Sequence, residues 1–277
     1  MEQGEVASEN VSTSELLAVV ERLSEQVGEL QRTQSAEIAN LRSTLAEQIE
    51  SSRTNLREYV RHSAQDSVQL VEALMMLLPK APRQESLMPA TGGFAMDARS
   101  LLHLATLVEE QKPRKILELG GGTSTIWLGY LTQELGTEIM SVDHLDEYLK
   151  RTVGYVQRHD FSDRIDCRLA ELEERQVGER AYWWYSLQAL DDVSDIDMLL
   201  VDGPPQSTGK RARFPALPLL RERLNREAVV VLDDHHRKDE QMVLADWLGL
   251  FEEFVHVDKS VSRLGVIMSG ALRGPRV

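Results

Sequence analysis

The sequence predicts an α/β chain in which one long N-terminal α-helix, a coiled coil, precedes a doubly wound, mostly parallel sheet of seven strands. Three observations predict it. Composition splits near residue 76: residues 1–75 hold none of the nine prolines, two of the seventeen glycines (Gly4 and Gly28) and no Trp or Phe, whereas the remainder is punctuated by all of these. The first part repeats apolar residues at alternating steps of four and three, the spacing that keeps one stripe of a helix facing a partner helix. The second part alternates short apolar runs with longer amphipathic ones, the signature of strands joined by crossover helices.

Residues 1–12 carry no apolar pattern and are expected to be a disordered N-terminus. Ser12 with Glu15 three residues on reads as a capping box opening a helix over residues 13–78, on the order of 100 Å long at about 1.5 Å per residue. Its seam is Leu16, Val20, Leu23, Val27 and Leu30, falters at Gln34, and resumes as Ile38, Leu41 and Leu45, with Ile49, Leu56 and Tyr59 beyond, a phase shift of the stutter type. So thin a stripe is not stable alone. It predicts a homo-oligomer through residues 13–78, the other reading being an amphipathic helix folded onto the rest of the chain. Pro79, Pro82 and Pro89, then Gly92 and Gly93, end the helix and make residues 79–97 a linker and the entry to the next domain.

That domain, residues 98–270, opens with an amphipathic helix over Ala98–Glu110, stopped by Pro113. Strands are expected at Lys115–Leu119, Glu138–Val142, Arg164–Leu169, Asp197–Val201, Ala228–Leu232, Phe254–Val257 and Leu264–Met268. Helices fall between most of them, at Thr125–Leu135, Leu145–Arg158, Phe214–Leu224 and Lys238–Leu250, and residues 271–277 are a tail. In a parallel sheet covered on both faces, ligands bind at the carboxyl ends of the strands, so function turns on what stands there.

Composition sets outer limits. The 277 residues are 42% hydrophobic and 27% charged, ordinary globular figures, and the formal charge of −14 repels phosphate backbones, so no nucleic-acid partner is expected. The longest apolar run, Ala73–Leu78, is far shorter than a membrane span. Met1–Asn10 carries Glu2, Glu5 and Glu9 without the basic and apolar regions of a secretory signal, and the lone Cys167 suits a reducing compartment, so a cytoplasmic location is expected.

The first strand runs into Glu118-Leu119-Gly120-Gly121-Gly122-Thr123-Ser124-Thr125 and a helix. Glycines let the backbone turn tightly beside a ligand, and the helix N-terminus offers free N–H groups. No Gly-Lys-Ser/Thr follows, so this is not a phosphate-binding P-loop, and Ser124 stands where a dinucleotide fingerprint has its third glycine. The second strand ends at Asp143, 21 residues beyond Gly122, where an acidic side chain accepts hydrogen bonds from ribose hydroxyls.

With these residues, the stretch from Lys115 to Ser269 resembles a class I S-adenosylmethionine-dependent methyltransferase, a Rossmann-like fold. The resemblance implies that Glu118, Gly120, Gly122 and Ser124 hold the methionine moiety and that Asp143 binds the ribose. It also implies that Ala170 and Glu171, after the third strand, contact adenine and that Asp202 borders the cofactor. The fourth strand ends Val201-Asp202-Gly203-Pro204-Pro205 and the fifth Leu232-Asp233-Asp234-His235-His236-Arg237. Clustered carboxylates at adjacent strand ends call for a cation, and oxygen ligands suit Mg²⁺. This pattern is similar to metal-dependent O-methyltransferases of the catechol and macrocin types and implies a divalent ion on Asp202, Asp233 and Asp234. His235 departs from it, since the macrocin type has tyrosine there.

The implied reaction is methylation of a hydroxyl of a sugar, glycan or secondary metabolite, with His235 or Asp202 as the proton acceptor and His236 as a further imidazole. Gln206–Arg213, with Lys210, Arg211 and Arg213, reads either as a site for an anionic or polyhydroxylated ligand or as a solvated loop. Tyr182-Trp183-Trp184-Tyr185 reads as packing against the sheet edge or as a stacking surface for a sugar or adenine. Two other readings stand beside the metal-assisted enzyme: a metal-independent O- or N-methyltransferase using His235 or Asp202, and a coiled-coil scaffold with a vestigial cofactor fold. A dinucleotide oxidoreductase is disfavoured by the glycine spacing and by the lack of a Tyr-x-x-x-Lys pair.

Overall fold

The computed structural model describes residues 13–81, 86–93, 95–257 and 262–269. The expected Ser12 cap and the expected disordered start (1–12) and tail (271–277) lie outside them. Helix α1 spans Thr13–Leu77 and leads into a short 3₁₀ turn at Leu78–Lys80 that carries Pro79. The chain divides into two compact units at Asp66/Ser67.

In the first unit the seam residues from Leu16 to Tyr59 are each more than half exposed. Along this helix Thr33 and Thr44 return their hydroxyls to the carbonyls of Glu29 and Asn40, so polar side chains there are satisfied locally.

The second unit takes in the end of α1, where Ala73 and Leu77 are buried in the same cluster as Leu101 and Leu104 of α2 (Ala98–Gln111). Helix α2 is capped by Asp97, whose carboxylate accepts from Ser100 N at 2.8 Å, and closes at Lys112 in the left-handed region ahead of Pro113. There follow β1 (Lys115–Leu119), α3 (Thr123–Leu131), β2 (Glu138–Asp143), α4 (Asp146–Arg158) and β3 (Ile165–Leu169). An antiparallel hairpin comes next, β4 (Leu172–Val177) with β5 (Arg180–Tyr185). The chain then forms β6 (Ile196–Val201), α5 (Ala216–Leu220), β7 (Leu224–Leu232), α6 (Lys238–Leu250), β8 (Phe254–His256) and β9 (Gly265–Ser269).

Among the described residues the main sheet has seven strands in the order β3-β2-β1-β6-β7-β9-β8. Only β9 runs against its neighbours. The order reverses between β1 and β6, the switch point at which a crevice opens above the strand ends. Strand residues alternate between two cores: Ile116, Met198, Leu200, Val229 and Val231 face α2, α3 and α4, while Leu117, Leu199, Val201, Val230 and Leu232 face α5, α6 and the hairpin. Burial on both faces explains why the strands read as unbroken apolar runs.

Four features differ from the sequence reading. The compact units divide at Asp66/Ser67 and not near residue 76, because the last turns of α1 bury Ala73 and Leu77 in one core with Leu101 and Leu104 of α2. Helix α3 starts at Thr123, two residues earlier than expected, because the Thr125 hydroxyl accepts the Gly122 N–H at 2.8 Å and organises the first turn. The expected helix Phe214–Leu224 contracts to α5 and a 3₁₀ turn at Arg221–Arg223, with Pro215 and Pro218 confining the helical turn and β7 beginning at Leu224. The β4–β5 hairpin was not expected at all. Its two-residue connection places Gly178 at φ 59, the positive angle such tight loops require.

Candidate active site at the strand ends

The sheet ladder continues one residue past each central strand. Ala170 N donates to Asp143 O at 2.9 Å, Gly120 N to Val142 O at 2.9 Å, Asp202 N to Leu119 O at 2.8 Å and Asp233 N to Val201 O at 3.0 Å. Ala170, Asp143, Gly120, Asp202 and Asp233 therefore form a row along the carboxyl edge, one per strand, at intervals of about 4.8 Å. The row gathers residues spread over more than a hundred positions of sequence along one edge of the sheet.

At its centre Gly120 has φ +92, and a Cβ there would lie 3.0 Å from the backbone of Asp202 and Gly203. Only glycine permits that turn and that approach. A Cβ at Gly122 would face open space, so the turn presents bare backbone to whatever occupies the crevice. Glu118 lies beneath, fully buried, accepting from Ser124 Oγ at 2.5 Å, from Ser141 Oγ at 2.7 Å and from the Thr125 hydroxyl. Burial raises its pKa and the three hydroxyls oppose the rise. Glu118 and Ser124 are thus spent on each other: they shape the turn, and a ligand would meet them through its backbone.

Asp143 is 7% exposed and takes the Leu145 N–H on Oδ1 at 2.9 Å, leaving Oδ2 without a hydrogen bond among the described residues. A carboxylate oxygen so placed suits a ribose hydroxyl. Ala170 is buried at the adjoining strand end, whereas Glu171 is exposed at the entry to the hairpin. The hairpin brings Tyr185 to the same edge: its hydroxyl is buried without a partner, 2.1 Å from where a Cβ on Gly203 would stand. Burial, then the charge of Asp143, keeps this phenol protonated well above its usual range. Tyr182, Trp184 and Tyr185 are buried, and only Trp183 of this run is exposed.

Asp202, Asp233 and Asp234 are the one group among the described residues that could hold a metal, with ligand oxygens within 4.8 Å of one another. Burial, then the neighbouring charge of Asp233, raises the Asp202 pKa well above the aspartate range; burial and Asp234 raise that of Asp233. The cluster already contains a cation. Arg213 Nη2 donates to Asp202 Oδ1 at 3.1 Å and to Asp234 Oδ2 at 3.3 Å, and Arg237 Nη1 reaches Asp234 Oδ2 at 2.8 Å. Burial disfavours the Arg213 charge, but Asp202, Asp234 and Asp233 outweigh it and hold the guanidinium protonated. A divalent ion held by these carboxylates would have to displace the Arg213 bonds to Asp202 Oδ1 and Asp234 Oδ2. The oxygen donors match Mg²⁺ in kind, yet the site does not fit the ion with Arg213 in place.

The other sequence candidates separate. His235 is half-buried on the β8–β9 side of β7, where its N–H donates to Arg263 O at 2.7 Å and its ring meets that of His256 edge-on at 5.5 Å. A Cβ on Gly265 would lie 2.8 Å from this ring. Asp202 stands on the opposite side of β7. His236 is exposed. Of the three loop cations, Lys210 is exposed, Arg211 pairs with Asp246 of α6, and only Arg213 turns inward. Sequence reading placed Arg213 in a solvated loop or a substrate patch. The signal that would have found it is the charge balance of three buried carboxylates, which demands an internal cation. A cavity of about 740 Å³ lies elsewhere, between α4 and β2–β3 toward the amino ends of the strands, and takes in none of these residues.

Fold and strand-end row together define an α/β domain whose strand order reverses beneath a row of polar strand ends. Residues 117–235, from β1 to the first histidine after β7, match the family model of a methyltransferase domain. Solved structures similar to the chain include an O-methyltransferase from Bacillus cereus in complex with SAH, 18% identical with a TM-score of 0.45 over 73% of this chain and 89% of that one. The O-methyltransferase TomG from Streptomyces achromogenes, involved in tomaymycin synthesis and solved with SAM, is 16% identical with a TM-score of 0.47 over 73% and 88%. The SAH-bound methyltransferase PaMTH1 from Podospora anserina is 12% identical with a TM-score of 0.48 over 73% and 87%. No curated protein sequence matches the chain. Among the described residues no helix is long and apolar enough to cross a membrane.

Proposed function

We propose that the protein is an S-adenosylmethionine-dependent methyltransferase acting on a hydroxyl of a sugar, glycan or secondary metabolite. The observation that carries this reading is the strand-end row, which sets a glycine turn, an open carboxylate oxygen on Asp143 and a buried acidic cluster side by side. S-adenosylmethionine supplies an electrophilic sulfonium methyl. The backbone turn at Gly120–Gly122 would hold the amino-acid end of the cofactor, Asp143 would accept from a ribose hydroxyl, and Ala170 and Glu171 would border the base. Transfer of that methyl to a substrate hydroxyl would require a base at the strand ends to take up the hydroxyl proton. Asp202 is that base in preference to His235, because it adjoins Gly120 in the row.

A divalent ion on Asp202, Asp233 and Asp234 would lower the hydroxyl's pKa, as the resemblance implies. The buried guanidinium of Arg213 favours the second reading, in which methyl transfer proceeds without a metal. Residues 13–78 are assigned to self-association with a second copy of the chain, on the strength of a seam left exposed along the helix.

The test is calorimetric titration of the full-length chain with S-adenosylhomocysteine and with NAD. Binding of the first alone, weakened at least about tenfold by Asp143→Ala with the melting temperature unchanged, is expected, since charged hydrogen bonds contribute about 1.5–3 kcal/mol. Failure of the wild type to bind S-adenosylhomocysteine refutes the enzyme reading and leaves the helix as the working part.

A further inference from the structure

The contacts of Arg213 go beyond charge neutralisation. Besides the carboxylates of Asp202 and Asp234, its guanidinium donates to the main-chain oxygens of Asp202 (Nη2, 2.9 Å) and Asp233 (Nη1, 2.9 Å), the residues at which β6 and β7 leave the sheet. A planar fork of donors reaches both strand ends and two carboxylates at once, which a spherical ion bound by carboxylate oxygens alone would not do. The side chain is 5% exposed, so these bonds form away from competing water. Arg213 Nη2 already holds one oxygen of each of two prospective metal ligands, Asp202 and Asp234.

We propose that Arg213 is the resident cation of this site, standing where the resembled enzymes keep a divalent metal, and that it positions Asp202 against the glycine turn. Removing its charge converts the three carboxylates into a site that takes up a divalent ion. The role given to Asp202 rests on the methyltransferase reading; the exchange of arginine for metal does not.

The full-length chain is titrated with Mn²⁺ alone, free Mn²⁺ being counted by its paramagnetic resonance signal, and melting is followed with Mg²⁺ and after EDTA treatment. For the wild type no saturable Mn²⁺ uptake is expected, and neither Mg²⁺ nor EDTA moves the melting temperature. Arg213→Met keeps the aliphatic stem and loses the charge; it is expected to bind one Mn²⁺ at least about tenfold more tightly than the wild type and to melt higher with Mg²⁺. Arg213→Lys restores the charge and with it the wild-type indifference to Mn²⁺. Stoichiometric Mn²⁺ uptake by the wild type, destabilisation by EDTA, or an Arg213→Met chain that folds and gains no ion each overturns the proposal. Should Arg213→Met not fold, the two wild-type measurements decide it by themselves. A parallel titration with S-adenosylhomocysteine separates the two readings, because loss of cofactor binding would refute the enzyme while leaving the Mn²⁺ result to stand.

Discussion

Gly203 and Tyr185 show how one atom decides a position. The phenol oxygen of Tyr185 occupies the space that a Cβ on Gly203 would need, 2.1 Å away. Gly203→Ala is therefore expected to destabilise the fold by about 1–3 kcal/mol through overpacking, and adding Tyr185→Phe should recover part of that loss, read as a non-additive double-mutant cycle in denaturant. Tyr185→Phe alone deletes a buried hydroxyl that has no partner, so it should leave the stability of the free protein unchanged or raise it. Glu118 makes a prediction of pH dependence. Burial raises its folded pKa above the ordinary glutamate value, so its contribution to stability is complete below that ordinary value and lost as pH rises through the raised one. Asp192 has the opposite sign: hydrogen bonds from Arg168 lower it to about 2, and its contribution is lost as pH falls toward that value. Denaturant midpoints measured across the acid range should show Glu118→Gln flattening the decline on the higher side only.

At the scale of elements, the first unit of α1 carries its seam in the open, and the β4–β5 hairpin buries Tyr182, Trp184 and Tyr185 while exposing Trp183. Leu23→Glu with Leu41→Glu places two charges in the seam, and the expected outcome is a shift to monomer in light scattering with the melting of the second unit unchanged. A wild type that is monomeric at all concentrations would refute the assignment of the seam to a second copy. The helix and the strands of the main sheet were legible because their periods run through the sequence: 3.5 residues for the seam, unbroken apolar runs for strands buried on both faces. The hairpin was not, since Glu173, Glu174, Arg175 and Gln176 give β4 a polar face with no apolar alternation to mark it. Helix α5 was overread because a leucine-rich run of helical spacing hid the effect of Pro215 and Pro218.

For the whole molecule, the sharpest expectation is that S-adenosylhomocysteine raises the melting temperature of the full chain, and that Mg²⁺ adds nothing to the shift. The sequence by itself determined the long N-terminal helix, the α/β class, the glycine turn at Gly120–Gly122 and the spacing to Asp143. Each of these depends on neighbours in the chain, on periodicity or on a backbone angle that one residue type permits. The tertiary structure alone decided that Glu118 is enclosed by three hydroxyls, that His235 lies across β7 from Asp202, and that Arg213 sits among the strand-end carboxylates. Those pairings join residues from different strands and loops. Which side of the sheet a side chain takes, and which charges it must neutralise there, follow from sheet order and burial, neither of which is written in the spacing of residues along the chain.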